Sequence, residues 1–174
     1  MLKRIVIATD GSEHAKKAVA FGSDIASKYG AEVVLVHVLL RDHLSDAMRE
    51  LAEVEYHADA GAFSKAVSEI PDARFPLAQV LPKDAVSPGQ ALEAVAGFVL
   101  KEAEEIAREH GATNVSRRTE DGNPAARILE VAEAVNADMI VTGARGLSDL
   151  KALMVGSVSH RLSNTAPMTC VCVR

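Results

Sequence analysis

Tryptophan is missing from this sequence, and aromatic residues of every kind make up only 3% of it. A core without large rings has to be built from Ala, Val, Ile and Leu, small or branched side chains that let helices lie close against a sheet. Cysteine is nearly as scarce. The two that occur, Cys170 and Cys172, are too few for a disulfide framework. They alternate along one extended run, so they share a face and are badly oriented to bridge each other. They read as small core residues, with redox sensing as the alternative. No run approaches the ~20 apolar residues of a membrane span, and Met1 to Arg4 leads straight into a short strand-like run where a signal peptide would place its apolar core. An excess of basic residues is lacking too. The formal net charge of −5 disfavours a nucleic-acid backbone or an anionic membrane as the main partner, but it leaves room for a small anion held by local donors. These absences together lead to the expectation of a cytoplasmic protein, and 174 residues suit one domain with a substantial core.

What is present alternates between two periods. Ile5 to Ala8 is a short apolar run that stops at Thr9-Asp10-Gly11-Ser12, the pattern of a buried strand ending in a loop. Ser12 suits the N-cap of a helix whose apolar face carries Ala15, Ala18, Val19, Gly22, Ile25, Ala26 and Tyr29, and Gly30 suits its end. Val33 to Leu40 is apolar almost throughout, as in a parallel strand covered on both faces. His37 interrupts it and reads as a satisfied, partly buried histidine, since no partner sits at metal-ligand spacing. From Arg41 to about Gln90 the chain carries four of its six prolines after one amphipathic stretch. It is expected to be largely irregular, an insertion or extended connection in preference to a lid or partner-binding arm. A second long helix follows, marked by Leu92, Val95, Ala96, Val99, Ala103 and Ile106 and stopped by Gly111. Thr113 to Thr119 is polar enough for an edge strand. Asn123 and Pro124 open a third helix, Asp138 to Thr142 forms a fourth strand, a helix starts near Ser157, and Met168 to Val173 forms a last strand after Pro167. Strand–helix alternation of this kind indicates an α/β domain with a mainly parallel sheet and helices on both faces.

Open parallel sheets bind ligands beyond the carboxyl ends of their strands. Two such ends carry unusual loops here. The first strand ends in Ala8-Thr9-Asp10, and the fourth in Thr142-Gly143-Ala144-Arg145-Gly146, with Gly156-Ser157 before the last helix. Glycines in loops ordinarily serve turns, so three of them decide nothing alone. Set between a strand and a helix start, they can also present N–H groups to a phosphate. Neither the P-loop pattern nor the dinucleotide fingerprint occurs. If the first and fourth strands are neighbours, Asp10 faces the glycine loop across one crevice.

The spacing Gly143-x2-Gly146-x9-Gly156-Ser157 resembles the nucleotide-binding signature of the universal stress protein family. Thr9-Asp10-Gly11-Ser12, His37-Val38, Gly122-Asn123-Pro124, Ala137-Asp138 and Gly156-Ser157-Val158-Ser159 resemble it as well. The likeness spans nearly all of residues 2–174 and explains the 41–90 segment least. It implies a Rossmann-like, open, twisted five-stranded parallel sheet of order 3-2-1-4-5, as one domain over 1–174. It further implies ATP as ligand, accompanied by Mg2+ with no metal-binding residue specified. Asp10 and Val38 would lie near the adenosine, with Val38 on the adenine. Gly143, Arg145, Gly146, Gly156, Ser157, Val158 and Ser159 would surround the phosphates, Ser157 and Ser159 being equally suited to capping the helix, and Ala8, Thr9 and Thr142 complete the nucleotide-binding set. A homodimer through the last strand is implied, and a stress-response or signalling role. No catalytic residue emerges, so a slow ATP hydrolase or other ATP-using enzyme is one alternative and a ligand-free dimerisation module the other. All three glycines are expected to serve the ligand, so that a bulky residue at Gly143 or Gly156 would weaken ATP binding without unfolding the sheet.

Overall fold

A computed structural model describes residues 2–39, 88–146 and 156–174. In chain order the elements are β1 (Arg4–Ala8), α1 (Glu13–Tyr29), β2 (Glu32–Leu39), α2 (Pro88–Glu109), β3 (Val115–Asp121), α3 (Pro124–Ala134), β4 (Met139–Gly143), α4 (Ser157–Thr165) and β5 (Thr169–Val173). The five strands form one sheet of order β3-β2-β1-β4-β5, and every pairing is parallel. β1 and β4 are neighbours, with Ala8 opposite Thr142. The fold is the α/β, Rossmann-like arrangement that the alternation of periods predicts.

Side chains that alternate along the strands divide the core in two. Ile5, Ile7, Val33, Leu35 and Val141 face α1 and α2 and meet Ala18, Val19, Ala26, Leu100, Ala103 and Ala107. Val6, Val34, Val36, Val38 and Ile140 face the other way, toward Ala125, Ile128, Val131, Ala132 and Leu162 of α3 and α4. Burial on both faces is why β1, β2 and β4 read as unbroken apolar runs. β3 has an exposed, charged middle, Arg117 and Arg118, as an edge strand should.

The helix ends follow the predicted chemistry. The Ser12 side chain accepts from Ala15 N, and Gly30 closes α1 in the left-handed region at φ 65. The Asn123 side chain accepts from Ala126 N ahead of Pro124 in α3. α2 differs from expectation at its start: it takes in Pro88 to Gln90, residues assigned above to the irregular segment. Proline fits there because a first-turn N–H has no helical partner to lose. The rest of the 41–90 segment, with its expected amphipathic stretch, lies outside the described residues.

At the amino ends of the strands the Asp138 carboxylate accepts from Lys3 N at 2.6 Å and Arg4 N at 3.0 Å. Arg4 pairs with Glu32 at 2.8 Å and donates to the Val135 carbonyl. These contacts tie β1, β2 and β4 at the edge opposite the loops of interest. The two backbone donors hold the Asp138 carboxyl below its ordinary range.

Candidate functional site

The loops after β1 and β4 meet at the carboxyl edge of the sheet. Thr9 extends the β1 ladder by one bond, its N–H donating to Val36 O at 2.9 Å. The chain then turns sharply. Gly11 N donates to Thr9 Oγ1 at 3.2 Å and Ser12 N to Asp10 Oδ1 at 3.0 Å, with Gly11 at φ 80. Ser12 has two tasks, since its hydroxyl both caps α1 and donates to Arg145 O at 3.3 Å. That second bond ties the β1 loop to the β4 loop. Sequence reasoning assigned Ser12 the cap alone, and nothing local in the sequence signals a bond across 133 positions.

Asp10 does face the glycine loop, but in contact with it. Its carboxylate occupies the place a side chain at Gly146 would need. Gly143 is explained in the same way. A Cβ there would lie 2.7 Å from the His14 carbonyl carbon and 2.8 Å from Ala15 N, closer than real Cβ atoms come to backbone. By strand alternation Gly143 points toward α1, on the opposite face from Thr142. Gly143 thus has a packing reason besides its expected place in the site, and Gly146 a close side-chain neighbour in Asp10.

The other predicted residues gather on the α3/α4 side. Val38 belongs to that cluster, and Ala8 and Val158 pack against it. Thr142 alternates onto the same face as Ile140. It is 4% exposed, and among the described residues its Oγ1 has no hydrogen-bond partner. α4 starts against Ala144, two residues on. Gly156 N donates to Ala144 O at 2.7 Å, and the Ser159 hydroxyl lies within reach of Ala144 O at 3.2 Å and Gly156 O at 3.0 Å. Ser159 is 2% exposed, so its hydroxyl secures the loop and does not cap the helix. The N-cap is Gly156, with no side chain bonded to the first turn, while Ser157 is exposed. The first backbone bond closing this helix is His160 N to Gly156 O, so the N–H groups of Ser157, Val158 and Ser159 lie at its electropositive end, without a side-chain cap among the described residues. Arg145 is exposed at the rim. The arrangement offers an apolar wall (Ala8, Val38, Val158), a buried hydroxyl and a helix N-terminus, which is the equipment for an apolar ring joined to an anion.

His37 stands beside Thr9 in the β1–β2 register and places Nδ1 2.9 Å from Thr9 O. A carbonyl can only accept, so Nδ1 carries the proton, and this histidine is satisfied as the sequence suggested. Burial lowers its pKa, against smaller upward effects of the Thr9 carbonyl and the Asp10 charge. A cleft of about 540 Å³ between the ends of β2 and β3 and α2 is lined by Leu39, Glu93, Thr119, Glu120 and Asp121; its acidic lining does not match an anion. Among the described residues no group of three His, Cys, Asp or Glu side chains could hold a metal ion, and no helix is long and apolar enough to cross a membrane.

The family profile for the Universal stress protein family matches residues 1–174. The chain belongs to the universal stress protein family. Within it, the stress response protein NhaX of Bacillus subtilis is 34% identical over 161 residues, covering 92% of this chain and 90% of that protein. A universal stress protein of Thermus aquaticus is 29% identical over the full length of both chains. Among solved structures, a universal stress protein in complex with cAMP superposes with a TM-score of 0.63 at 21% identity, covering 99% of this chain and 97% of that one. The Archaeoglobus fulgidus universal stress protein in complex with dAMP gives 0.59 at 19%, covering 100% and 98%. At these identities the structural likeness is one of fold.

Proposed function

We propose that this protein binds an adenine nucleotide, ATP in particular, at the carboxyl edge of β1 and β4, and acts in a stress response by changing its partner or dimer contacts with nucleotide occupancy. The observation that carries this reading is Thr142: a buried hydroxyl without a partner among the described residues, two positions before Ala144, whose carbonyl accepts from Gly156 N at the start of α4. Leaving a buried polar group unsatisfied costs about 1–3 kcal/mol, and a ligand acceptor would remove that penalty. In this reading Ala8, Thr9, Asp10 and Val38 flank the adenosine, and adenine lies on Val38. Thr142, Gly143, Arg145, Gly146, Gly156, Ser157, Val158 and Ser159 surround the phosphates, mostly through backbone N–H groups and the Arg145 fork. Mg2+ would arrive on the phosphates. The binding of cAMP and dAMP by proteins of the same fold supports an adenylate over another anion. We further take the whole chain as one such domain with an insertion at about 41–90, in the cytoplasm. It would dimerise through β5, which stands at the end of the sheet next to β4 among the described residues. The sequence has no lysine at P-loop spacing and the described residues of the site offer no evident base, so we take binding as its role, with at most slow ATP hydrolysis.

The test is ATP with Mg2+ added to nucleotide-free protein. At about a hundredfold excess over Kd, linkage adds ~2.7 kcal/mol, a rise in Tm of roughly 5–10 °C for a chain of this size. Thr142→Val keeps the shape and removes the orphan hydroxyl. It should leave the nucleotide-free protein as stable or slightly more stable, and weaken ATP binding about five- to tenfold. No thermal shift at millimolar ATP would overturn the nucleotide reading, and rapid ADP release would overturn the restriction to binding.

A further inference from the structure

The nucleotide reading leaves one partly buried titratable side chain, His37, without a task. His37 lies on the second strand, yet its imidazole Nδ1–H donates to the backbone carbonyl of Thr9 at 2.9 Å, on the neighbouring strand's terminal loop. Thr9 is thereby held at both of its backbone polar groups by consecutive residues of β2, its N–H by the Val36 carbonyl and its C=O by the His37 ring. The hold passes on through short bonds. Thr9 Oγ1 accepts from Gly11 N, the next residue's carboxylate accepts from Ser12 N, and the Ser12 hydroxyl reaches the Arg145 carbonyl. Resting on the proposed nucleotide site, we infer that His37 is a positioning residue: its Nδ1–H fixes the Thr9–Asp10 turn, and through Ser12 the register of the two loops between which the nucleotide sits.

The donor, not the ring, is what this role requires. Asparagine offers an N–H at the position of imidazole Nδ1, whereas leucine fills the space and offers nothing. Geometry also fixes the tautomer: with Nδ1 protonated, the neutral ring carries its lone pair on Nε2, a second-neighbour detail that orients such rings elsewhere too. Asp10 is the charged group that acts on this ring.

The experiment compares the parent protein with His37→Leu and His37→Asn in two measurements. In nucleotide-free protein, amide hydrogen exchange at Gly11 and Ser12 should accelerate at least tenfold in His37→Leu and stay near the parent rate in His37→Asn, with amides of β4 and α3 unchanged in both. By isothermal titration with ATP and Mg2+, His37→Leu should bind about tenfold more weakly and His37→Asn within about threefold of the parent. Equal exchange in His37→Leu, equal affinity in His37→Leu, or an asparagine variant as impaired as the leucine one would each overturn the role. A parent protein that does not bind ATP at all would instead overturn the nucleotide site, and the exchange comparison would then still decide whether His37 holds the turn.

Discussion

Replacing Gly143 with alanine tests the closest approach in the fold. The added Cβ would lie 2.7 Å from the carbonyl carbon of His14 and 2.8 Å from Ala15 N. Both are backbone atoms, so no side chain can swing aside. The first turn of α1 cannot retreat freely either. Ala15 N is bonded to the Ser12 hydroxyl and Lys16 N to Ser12 O, and Ser12 is itself bonded to the β4 loop. Overpacking against such a wall costs about 1–3 kcal/mol; taking ~2 kcal/mol, Tm falls by about 4–8 °C for a domain of this size. The control is Gly156→Ala. Its Cβ would stand 3.3 Å from Ala144 O and 3.5 Å from Arg145 Cα, with the backbone at φ −68, a conformation alanine accepts. The loss there should stay under ~1 kcal/mol, the deficit of alanine as an N-cap. Urea and thermal unfolding of both variants give the comparison. Because the added Cβ presses on the α1 turn that carries Ser12, whose hydroxyl reaches the β4 loop, the folded Gly143→Ala protein should also bind ATP more weakly than the parent at temperatures well below its Tm. Parental stability in Gly143→Ala, or a loss smaller than that of Gly156→Ala, would refute the close packing of α1 on β4.

Stability should also depend on pH in two separable windows. Burial lowers the His37 pKa in the folded protein, so in the window below its ordinary 6.5 the unfolded chain takes up a proton that the folded one refuses. Stability is then constant above that window with respect to this group and falls as pH drops through it, by at most ~1.4 kcal/mol per pH unit. Asp138 is shifted downward by the Lys3 and Arg4 N–H donors; its contribution is complete above its ordinary 3.8 and is lost as pH falls toward the lower folded value. Denaturation curves from pH 8 to 3 should show the first decline in the parent and not in His37→Asn, and an unchanged profile in that variant would refute the assignment. Burial raises the Cys170 thiol pKa, partly offset by the Ser163 side chain and added to by Cys172. In Cys172→Ser protein, iodoacetamide should therefore modify Cys170 more slowly at pH 8 than a peptide thiol, and an equal or faster rate would show that the thiol is not shielded.

Most of the fold was readable because its determinants are local or periodic. Unbroken apolar runs at Ile5–Ile7 and Val33–Val36 require cover on both faces, and the polar β3 belongs at an edge. Ser12, Gly30, Asn123 and Pro124 punctuate helices by their own chemistry. The site was readable only as a set of positions. Which way each residue points depends on strand parity and on loop contacts distant in sequence. Thr142 and Gly143 are adjacent in sequence, yet one faces the α3/α4 side and the other abuts α1. Ser159, a plausible cap by its place, is turned inward to Ala144 O. Ser12 and His37 act through bonds to Arg145 and Thr9, partners that no spacing rule pairs with them.

This division changes what the glycine spacing can say about function. Gly143 is required by the His14–Ala15 backbone, whereas at Gly146 the nearest atom is an Asp10 carboxylate oxygen that can turn aside, so a protein of this fold would retain Gly143 even if no nucleotide ever bound. Its presence cannot by itself separate an ATP-binding protein from a ligand-free dimerisation module. Thr142 adds weight of a different kind. Among the described residues its buried hydroxyl and that of Ser23 have no partner, and of the two Thr142 lies at the carboxyl edge of the sheet, where a valine of the same shape would avoid that cost. At the start of α4, a serine or aspartate in place of Gly156 would supply a side-chain cap that Gly156 does not. Both features lower the stability of the empty protein, and both favour binding an anion-bearing ligand. Among the described residues, a buried hydroxyl without a partner and a helix start without a side-chain cap, linked through Ala144, argue for the nucleotide beyond what the three glycines do.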